Sequence, residues 1–252
     1  MLSKNRIKEL NRLSQKKYRN EMGVFVAEGN KLVPELLGQF PCRLLVTTAM
    51  GRQLLPEKLP PINEFEEVTD NELKKISQLT TPQQLFAVFE QPVLQLDKAR
   101  LSEQLILALD GIQDPGNMGT ILRIADWFGI ETVLCSKNCV EVFSPKTVQA
   151  SMGAVARVKA YTVCLPDFLE NQKQRMSIYG TFLSGKSIYE ETLTPNGIIV
   201  MGSEGKGISP EVERHITHRL LIPSFPASRV TSESLNVGVA TAVVCSEFRR
   251  IS

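Results

Sequence analysis

Apolar residues recur at a spacing of three at the start of the chain, where Ile7, Leu10 and Leu13 are separated by Lys and Arg. This pattern predicts one amphipathic helix from Ser3 to about Tyr18, with a basic face. Its apolar stripe needs a partner, and short apolar runs follow. Gly23 to Ala27 and Arg43 to Thr47 read as strands, and Gly29 to Leu37 as a short helix interrupted by Pro34. A helix starting at Asp70 carries Leu73 and Ile76, and Leu85 to Phe89, bounded by Pro82 and Pro92, reads as a buried strand. These elements make a small α/β domain over residues 1–91. The mixed polar stretch 92–103 has no clear period and is the expected linker.

From residue 104 to 252 the pattern changes to strand and helix in alternation. Leu105 to Leu109 is a continuous apolar run ending in Asp110-Gly111, and Asn117 to Phe128 has helical periodicity. Thr132 to Cys135, Tyr161 to Cys164, Ile178 to Leu183, Ile198 to Met201 and Leu220 to Ile222 are strand candidates. Helices are expected around Lys146, Asp167 and Pro210, and from Ser234 to Arg250. Such alternation predicts an α/β, Rossmann-like, mainly parallel sheet covered on both faces.

The composition, 42% hydrophobic and 22% charged, is that of an ordinary globular chain, and the net charge of +2 excludes little. The distribution of charge is more telling. Lys4, Arg6, Lys8, Arg12, Lys16, Lys17 and Arg19 face a single acid, Glu9, within the first twenty residues, a cationic patch. The five cysteines are odd in number and lack CxxC spacing, which indicates neither a disulfide framework nor a zinc site. With a charged N-terminus and no run near the ~18 apolar residues needed to span a bilayer, the chain is expected in the cytoplasm.

Ligands of open parallel sheets lie beyond the carboxyl ends of the strands, and three loops there are unusual. Asp110 to Gly119 packs turn residues ahead of a helix, so that Asn117 and Arg123 can reach an anion at its N-terminus. Equally, Asp-Pro-Gly-Asn makes a tight turn with an N-cap, leaving Arg123 solvated. Met201 to Pro210 contains Gly202, Gly205 and Gly207 after a strand. Its lysine precedes the last glycine, so the spacing is not that of a Walker loop, and a nucleotide-driven switch is disfavoured. The third segment is Ile222-Pro223, an irregular stretch from Ser224 to Glu233, and Ser234-Leu235-Asn236 opening a small-residue helix. Taken locally, Ser234 is an N-cap and Ala240, Ala242 and Val243 are core. His215 and His218 form an HxxH in an expected helix, read as a solvated face rather than a metal site. Lys146 and Arg157, flanking Ser151 to Ala154, either line an RNA path or solvate a helix.

Together, Asp-Pro-Gly-Asn-Met-Gly-Thr-Ile-Leu-Arg, Met-Gly-Ser-Glu-Gly-Lys-Gly-Ile, and Ile-Pro followed by Ser-Leu-Asn-Val-Gly-Val-Ala resemble, in order, the motifs of the SpoU/TrmH family of RNA ribose methyltransferases. The N-terminal part, with Phe25-Val26-Ala27-Glu28-Gly29, resembles the small RNA-binding domain that often precedes the catalytic one. The resemblance implies a deep trefoil knot, which general topology rules would argue against, a homodimer, RNA as partner and S-adenosylmethionine as methyl donor, with no metal. It implies that Gly202, Ile222 and Leu235, with Leu183 as a further candidate, hold the adenosyl part. Asn117, Arg123, Glu204, Ser234 and Asn236 would form the reacting site. Arg123 is the family's favoured catalytic residue, yet a guanidinium stays protonated and suits charge stabilisation better than base catalysis. The chain departs from the pattern in the longer Pro223 to Ser234 segment and in Gly238, where a second serine is common. The expected activity is ribose 2′-O-methylation of structured RNA, ribosomal before transfer RNA. A non-catalytic RNA-binding protein on the same scaffold is the alternative.

Overall fold

The computed structural model describes residues 2–226 and 234–250. In chain order the helices are α1 (Lys4–Arg12), α2 (Lys16–Met22), α3 (Leu32–Leu36), α4 (Ala49–Arg52), α5 (Asp70–Leu73), α6 (Pro115–Trp127), α7 (Pro145–Ser151), α8 (Leu165–Glu170), α9 (Pro210–Glu213) and α10 (Val237–Arg250). The strands are β1 (Val24–Glu28), β2 (Cys42–Thr47), β3 (Ile62–Glu67), β4 (Leu85–Glu90), β5 (Leu105–Asp110), β6 (Thr132–Ser136), β7 (Lys159–Val163), β8 (Ile178–Ser187), β9 (Gly197–Gly202) and β10 (His218–Leu221). Two compact units form, Met1–Val93 with Glu141–Ala156, and Leu94–Val140 with Arg157–Ser252.

In the first unit the sheet order is β1-β4-β2-β3, antiparallel except for β2 beside β3. Its core joins Leu10 and Leu13 to Val24, Val26, Val46, Phe86 and Val88. The single helix expected from Ser3 to Tyr18 is two, because the chain turns at Leu13 to Gln15. The carbonyls of the turn at Leu13 and Ser14 take their hydrogen bonds from a side chain instead of the backbone: Arg19 donates to Leu13 O and Ser14 O, each at 2.8 Å. Arg19 is therefore buried, at 2% exposure, and paired with Glu141 at 2.5 Å. Arg6 is also engaged, with Glu9, Glu64 and Glu66. The cationic patch thus narrows to the exposed Lys4, Lys8, Arg12, Lys16 and Lys17.

Pro34 does not interrupt α3, since it lies in the first turn, where no amide is needed. The helix from Asp70 is one turn long, held by a capping box between Thr69 and Glu72, with Ile76 buried beyond it. Strand β3 was not expected: Ile62–Glu67 is mostly solvent-facing, an acidic edge strand without an apolar face to announce it. On one side of β1, Phe25 packs on Phe40, Phe89 and Phe143, at centroid separations of 5.0, 5.4 and 4.9 Å.

The second unit holds a six-stranded sheet, β10-β8-β9-β5-β6-β7, in which every pairing among the described residues is parallel. Strands β5, β6 and β9 are almost wholly buried, as strands covered on both faces must be. From β5 the chain builds outward through β6 to β7, then returns with β9 on the other side of β5. The gap between β5 and β9 is therefore the topological switch point, where the loops after the two strands part and leave a crevice.

Four local expectations change. Helix α6 starts at Pro115 rather than Asn117, with Asp114 as its cap. Helix α10 starts at Val237, and Asn236 rather than Ser234 caps it, its Oδ1 accepting from the amides of Gly238 (2.9 Å) and Val239 (3.3 Å). Leu183 does not end a strand: β8 runs on to Ser187, and its register with β10 jumps from Gly180 to Lys186, so Leu183 rides an unpaired excursion. His215 lies in the turn after α9 and His218 opens β10, so the two share no helix face. Of the irregular Ser224 to Glu233 segment, residues 227–233 lie outside the described ones.

Candidate active site

Two bonds tie the crevice loops to the sheet. Asp110, at the end of β5, accepts from the Ser209 amide at 2.7 Å, which anchors the loop after β9 to the loop after β5. Gly111, in the left-handed region at φ +71°, donates its amide to Ser136 Oγ at 3.0 Å. Neither link was legible in the sequence. An acid closing an apolar strand was the available signal for Asp110. Nearby, Cys139 is pulled down to about 6, first by the hydrogen bond from the Cys135 thiol and then by Ser136 and the amides of Ile112 and Gly111.

The loop after β9 closes on itself. Ser203 and Gly207 exchange both backbone hydrogen bonds (2.9 and 2.8 Å), holding Glu204, Gly205 and Lys206 out toward solvent. Gly202 is required by this closure, because a Cβ there would lie 2.2 Å from the Gly207 carbonyl carbon. From this loop Glu204 reaches the α6 N-terminus, where its Oε1 accepts from Asn117 Nδ2. Asn117 is itself positioned by its backbone N–H, which donates to Asp114 Oδ1 at 2.8 Å. Asn236, from the third segment, completes the group: its Nδ2 donates to Asn117 Oδ1 at 3.0 Å and to Glu204 Oε1 at 2.9 Å.

Three residues from three separated segments therefore share one hydrogen-bonded cluster, and Glu204 Oε2 accepts nothing among the described residues. Arg123 stands on the exposed face of α6 and Ser234 is exposed before α10, and neither makes a hydrogen bond or ion pair among the described residues. The structure does not join them to the cluster by any bond. Gly202 and Ile222 are half-buried at the carboxyl ends of β9 and β10, while Leu183 and Leu235 are 73% and 48% exposed. Because β10, β8 and β9 are neighbours and parallel, Ile222, Leu183 and Gly202 lie toward one end of the sheet. Exposed apolar side chains beside close-packed backbone can hold a flat, partly apolar ligand. Arg157 is paired with Asp126 at 2.8 Å, whereas Lys146 is exposed. No group of three or more His, Cys, Asp or Glu could hold a metal ion among the described residues. Nor is any helix there long and apolar enough to cross a membrane.

Comparison with known proteins agrees with this fold. Residues 104–246 match the model of the SpoU rRNA Methylase family, and residues 4–87 that of the MRM3-like substrate binding domain. The 23S rRNA (guanosine(2553)-2′-O)-methyltransferase RlmP of Bacillus subtilis is 27% identical over 246 residues, covering 97% of this chain and 96% of its own. A TrmH-family protein of Porphyromonas gingivalis superposes over the whole of both chains with a TM-score of 0.89 and 47% identity. The AdoMet-bound rRNA methyltransferase of Sinorhizobium meliloti covers 100% of this chain and 96% of its own, with a TM-score of 0.82 and 27% identity.

Proposed function

The chain belongs to the SpoU rRNA methylase family, and from that premise we propose that it transfers a methyl group from S-adenosylmethionine to a ribose 2′-hydroxyl of ribosomal RNA. The observation that carries this reading is the Asn117–Glu204–Asn236 cluster at the switch point of the sheet. An RNA-binding scaffold without chemistry has no need of two amide side chains converging from distant segments onto one carboxylate.

The methyl donor supplies an electrophilic methyl on a cationic sulfur. Gly202, Ile222 and Leu235, with Leu183, would hold its adenosyl part. The half-buried and exposed apolar surface of these residues, and a Gly202 position that excludes a side chain, fit such a group. What the chain's other residues do follows from the reaction. A ribose hydroxyl must be aligned and must lose a proton. Glu204 Oε2 is open to accept from that hydroxyl, while Asn117 and Asn236 fix the carboxylate through Oε1. Arg123, a permanent cation, binds the adjoining phosphate and stabilises charge developing on the ribose oxygen, an effect worth up to a few kcal/mol for a preorganised donor. Ser234 supplies a further hydroxyl at the mouth of the third segment.

The division of labour follows the domains: residues 1–91 bind RNA through Lys4, Lys8, Arg12, Lys16 and Lys17, 92–103 link, and 104–252 catalyse in a trefoil-knotted fold. A homodimer is part of the same proposal, supported by Trp127 on α6 and Val239 on α10, which are 85% and 52% exposed on helices packed together. The cytoplasm is the compartment where such an RNA is met. The test is transfer of labelled methyl from S-adenosylmethionine to total unmodified RNA by wild type and Arg123→Ala. Label with wild type and its loss in the variant is the expected result. Donor binding without label in any RNA would favour the scaffold.

A further inference from the structure

A cavity of about 280 Å³ opens beside the edge strand β1, lined by none of the residues proposed for methyl transfer. Val26, Leu79 and Ala150 give it apolar walls, and Glu28, Lys146 and Gln149 bring polar groups to it. All six belong to the same compact unit.

Glu28 is the unusual member. The residue is 5% exposed, with its carboxylate Oε2 accepting from Ser77 Oγ at 2.5 Å and Oε1 from the Gln78 amide at 2.9 Å. A carboxylate has about four acceptor positions, so one lone pair on each oxygen remains open in a desolvated place. Unused acceptor capacity on a buried charge is unfavourable, and burial pushes the Glu28 pKa up against the two hydrogen bonds that lower it. Lys146, exposed beside the cavity, makes no ion pair among the described residues.

Size and chemistry restrict the ligand. The volume is just below the ~300–1,000 Å³ of pockets that take drug-sized molecules, which suits one flat ring system. Two parallel acceptors on a carboxylate match two parallel N–H donors. Among the four RNA bases only guanine presents such a pair on its Watson–Crick edge, at N1 and N2. Single-stranded RNA is read in this way, by unstacked bases held between side chains and bonded along that edge.

We propose that this cavity binds an unpaired guanine base of the RNA, with the Glu28 carboxylate on its N1–H and N2–H and Lys146 on the nucleotide's phosphate. The inference rests on the RNA-substrate reading above and adds to it a base-specific contact remote in sequence from the methyl-transfer residues. Gln149 offers an amide donor to the guanine O6.

The experiment compares binding of GMP, IMP, AMP, CMP and UMP to the full chain by NMR titration. GMP is expected to bind more tightly than AMP, CMP and UMP by roughly 5- to 150-fold, the range of a bidentate base contact. IMP, lacking the N2 amine, falls between. Glu28→Gln removes one acceptor, and because Glu28 also braces Ser77 and Gln78 it is paired with Ala150→Leu, which fills the cavity from α7. Both variants are expected to lose the guanine preference, and Ala150→Leu to raise KM for guanine-containing RNA at unchanged S-adenosylmethionine affinity. Equal binding of all five nucleotides, or a guanine preference that survives Ala150→Leu, overturns the pocket. Methyl transfer by wild type continues in that case, so the methyltransferase reading stands. Guanine preference without methylation of any RNA sinks that reading alone.

Discussion

Asn236 does two things that one pair of substitutions separates. Its Oδ1 caps α10, and its Nδ2 donates to Asn117 and Glu204. Asn236→Ala removes both, costing about 1 kcal/mol for the cap and about 0.5 kcal/mol for each side-chain bond, the low end because the group is exposed. The resulting ~2 kcal/mol lowers Tm by roughly 4–8 °C in a chain of this size. Asn236→Asp keeps an acceptor for the cap, and its charge suits a helix N-terminus by about 0.3–1 kcal/mol. The same change turns two donations into a contact between carboxylates at the 2.9 Å now separating Asn236 from Glu204. Coulomb repulsion at that distance is about 1.4–6 kcal/mol, and exposure of Glu204 selects the lower part. A misaligned Glu204 therefore costs at least about tenfold in rate. Thermal melting followed by circular dichroism, and kcat/KM for labelled methyl transfer, read the two effects separately. Once the exposed carboxylates swing apart, Asn236→Asp loses two side-chain bonds against the gain at the helix N-terminus, so it is expected to melt closer to wild type than Asn236→Ala and to lose tenfold or more of kcat/KM. Wild-type kcat/KM in Asn236→Asp would refute the role of the cluster, and an unchanged Tm in Asn236→Ala would refute the cap.

Three further changes probe the cofactor loop, the buried ion pair and the subunit contact. Gly202→Ala forces apart the Gly202–Gly207 approach and should weaken S-adenosylmethionine binding at least about tenfold, or 1.4 kcal/mol, by calorimetry; native affinity would show that the loop tolerates opening. Glu141→Gln leaves Arg19 buried without its counter-charge, which costs about 3 kcal/mol, and faster hydrogen exchange at the β1 amides is the expected reading. Trp127→Glu puts a charge on the exposed α6 face and should yield monomers in sedimentation equilibrium. A dimer that persists would move the interface elsewhere.

The catalytic sheet was legible because strands buried on both faces are continuous apolar runs, as in Leu105 to Leu109, and because turn residues crowd after β5 and β9. Segment order and motif resemblance together brought Asn117, Glu204 and Asn236 forward, and the fold then joined them. What escaped has physical causes. β3 has acidic residues along an exposed edge, so no alternation marks it. The break between α1 and α2 is hidden because the spacing of Ile7, Leu10 and Leu13 runs straight into it. Arg19 counts as a surface charge in any sequence tally, yet the carbonyls at the helix end draw it inward. The excursion holding Leu183 depends on a register jump against β10, a property of two strands that one strand's pattern cannot carry.

The chemical identity of the product decides whether the chain methylates ribose. Unmodified ribosomal RNA is incubated with the full chain and S-adenosylmethionine bearing a labelled methyl group, then digested to nucleosides and separated by mass. Label is expected in a 2′-O-methylnucleoside, at a position where the RNA backbone resists alkaline cleavage because the hydroxyl is blocked. Label on a base, with every ribose free, would contradict it.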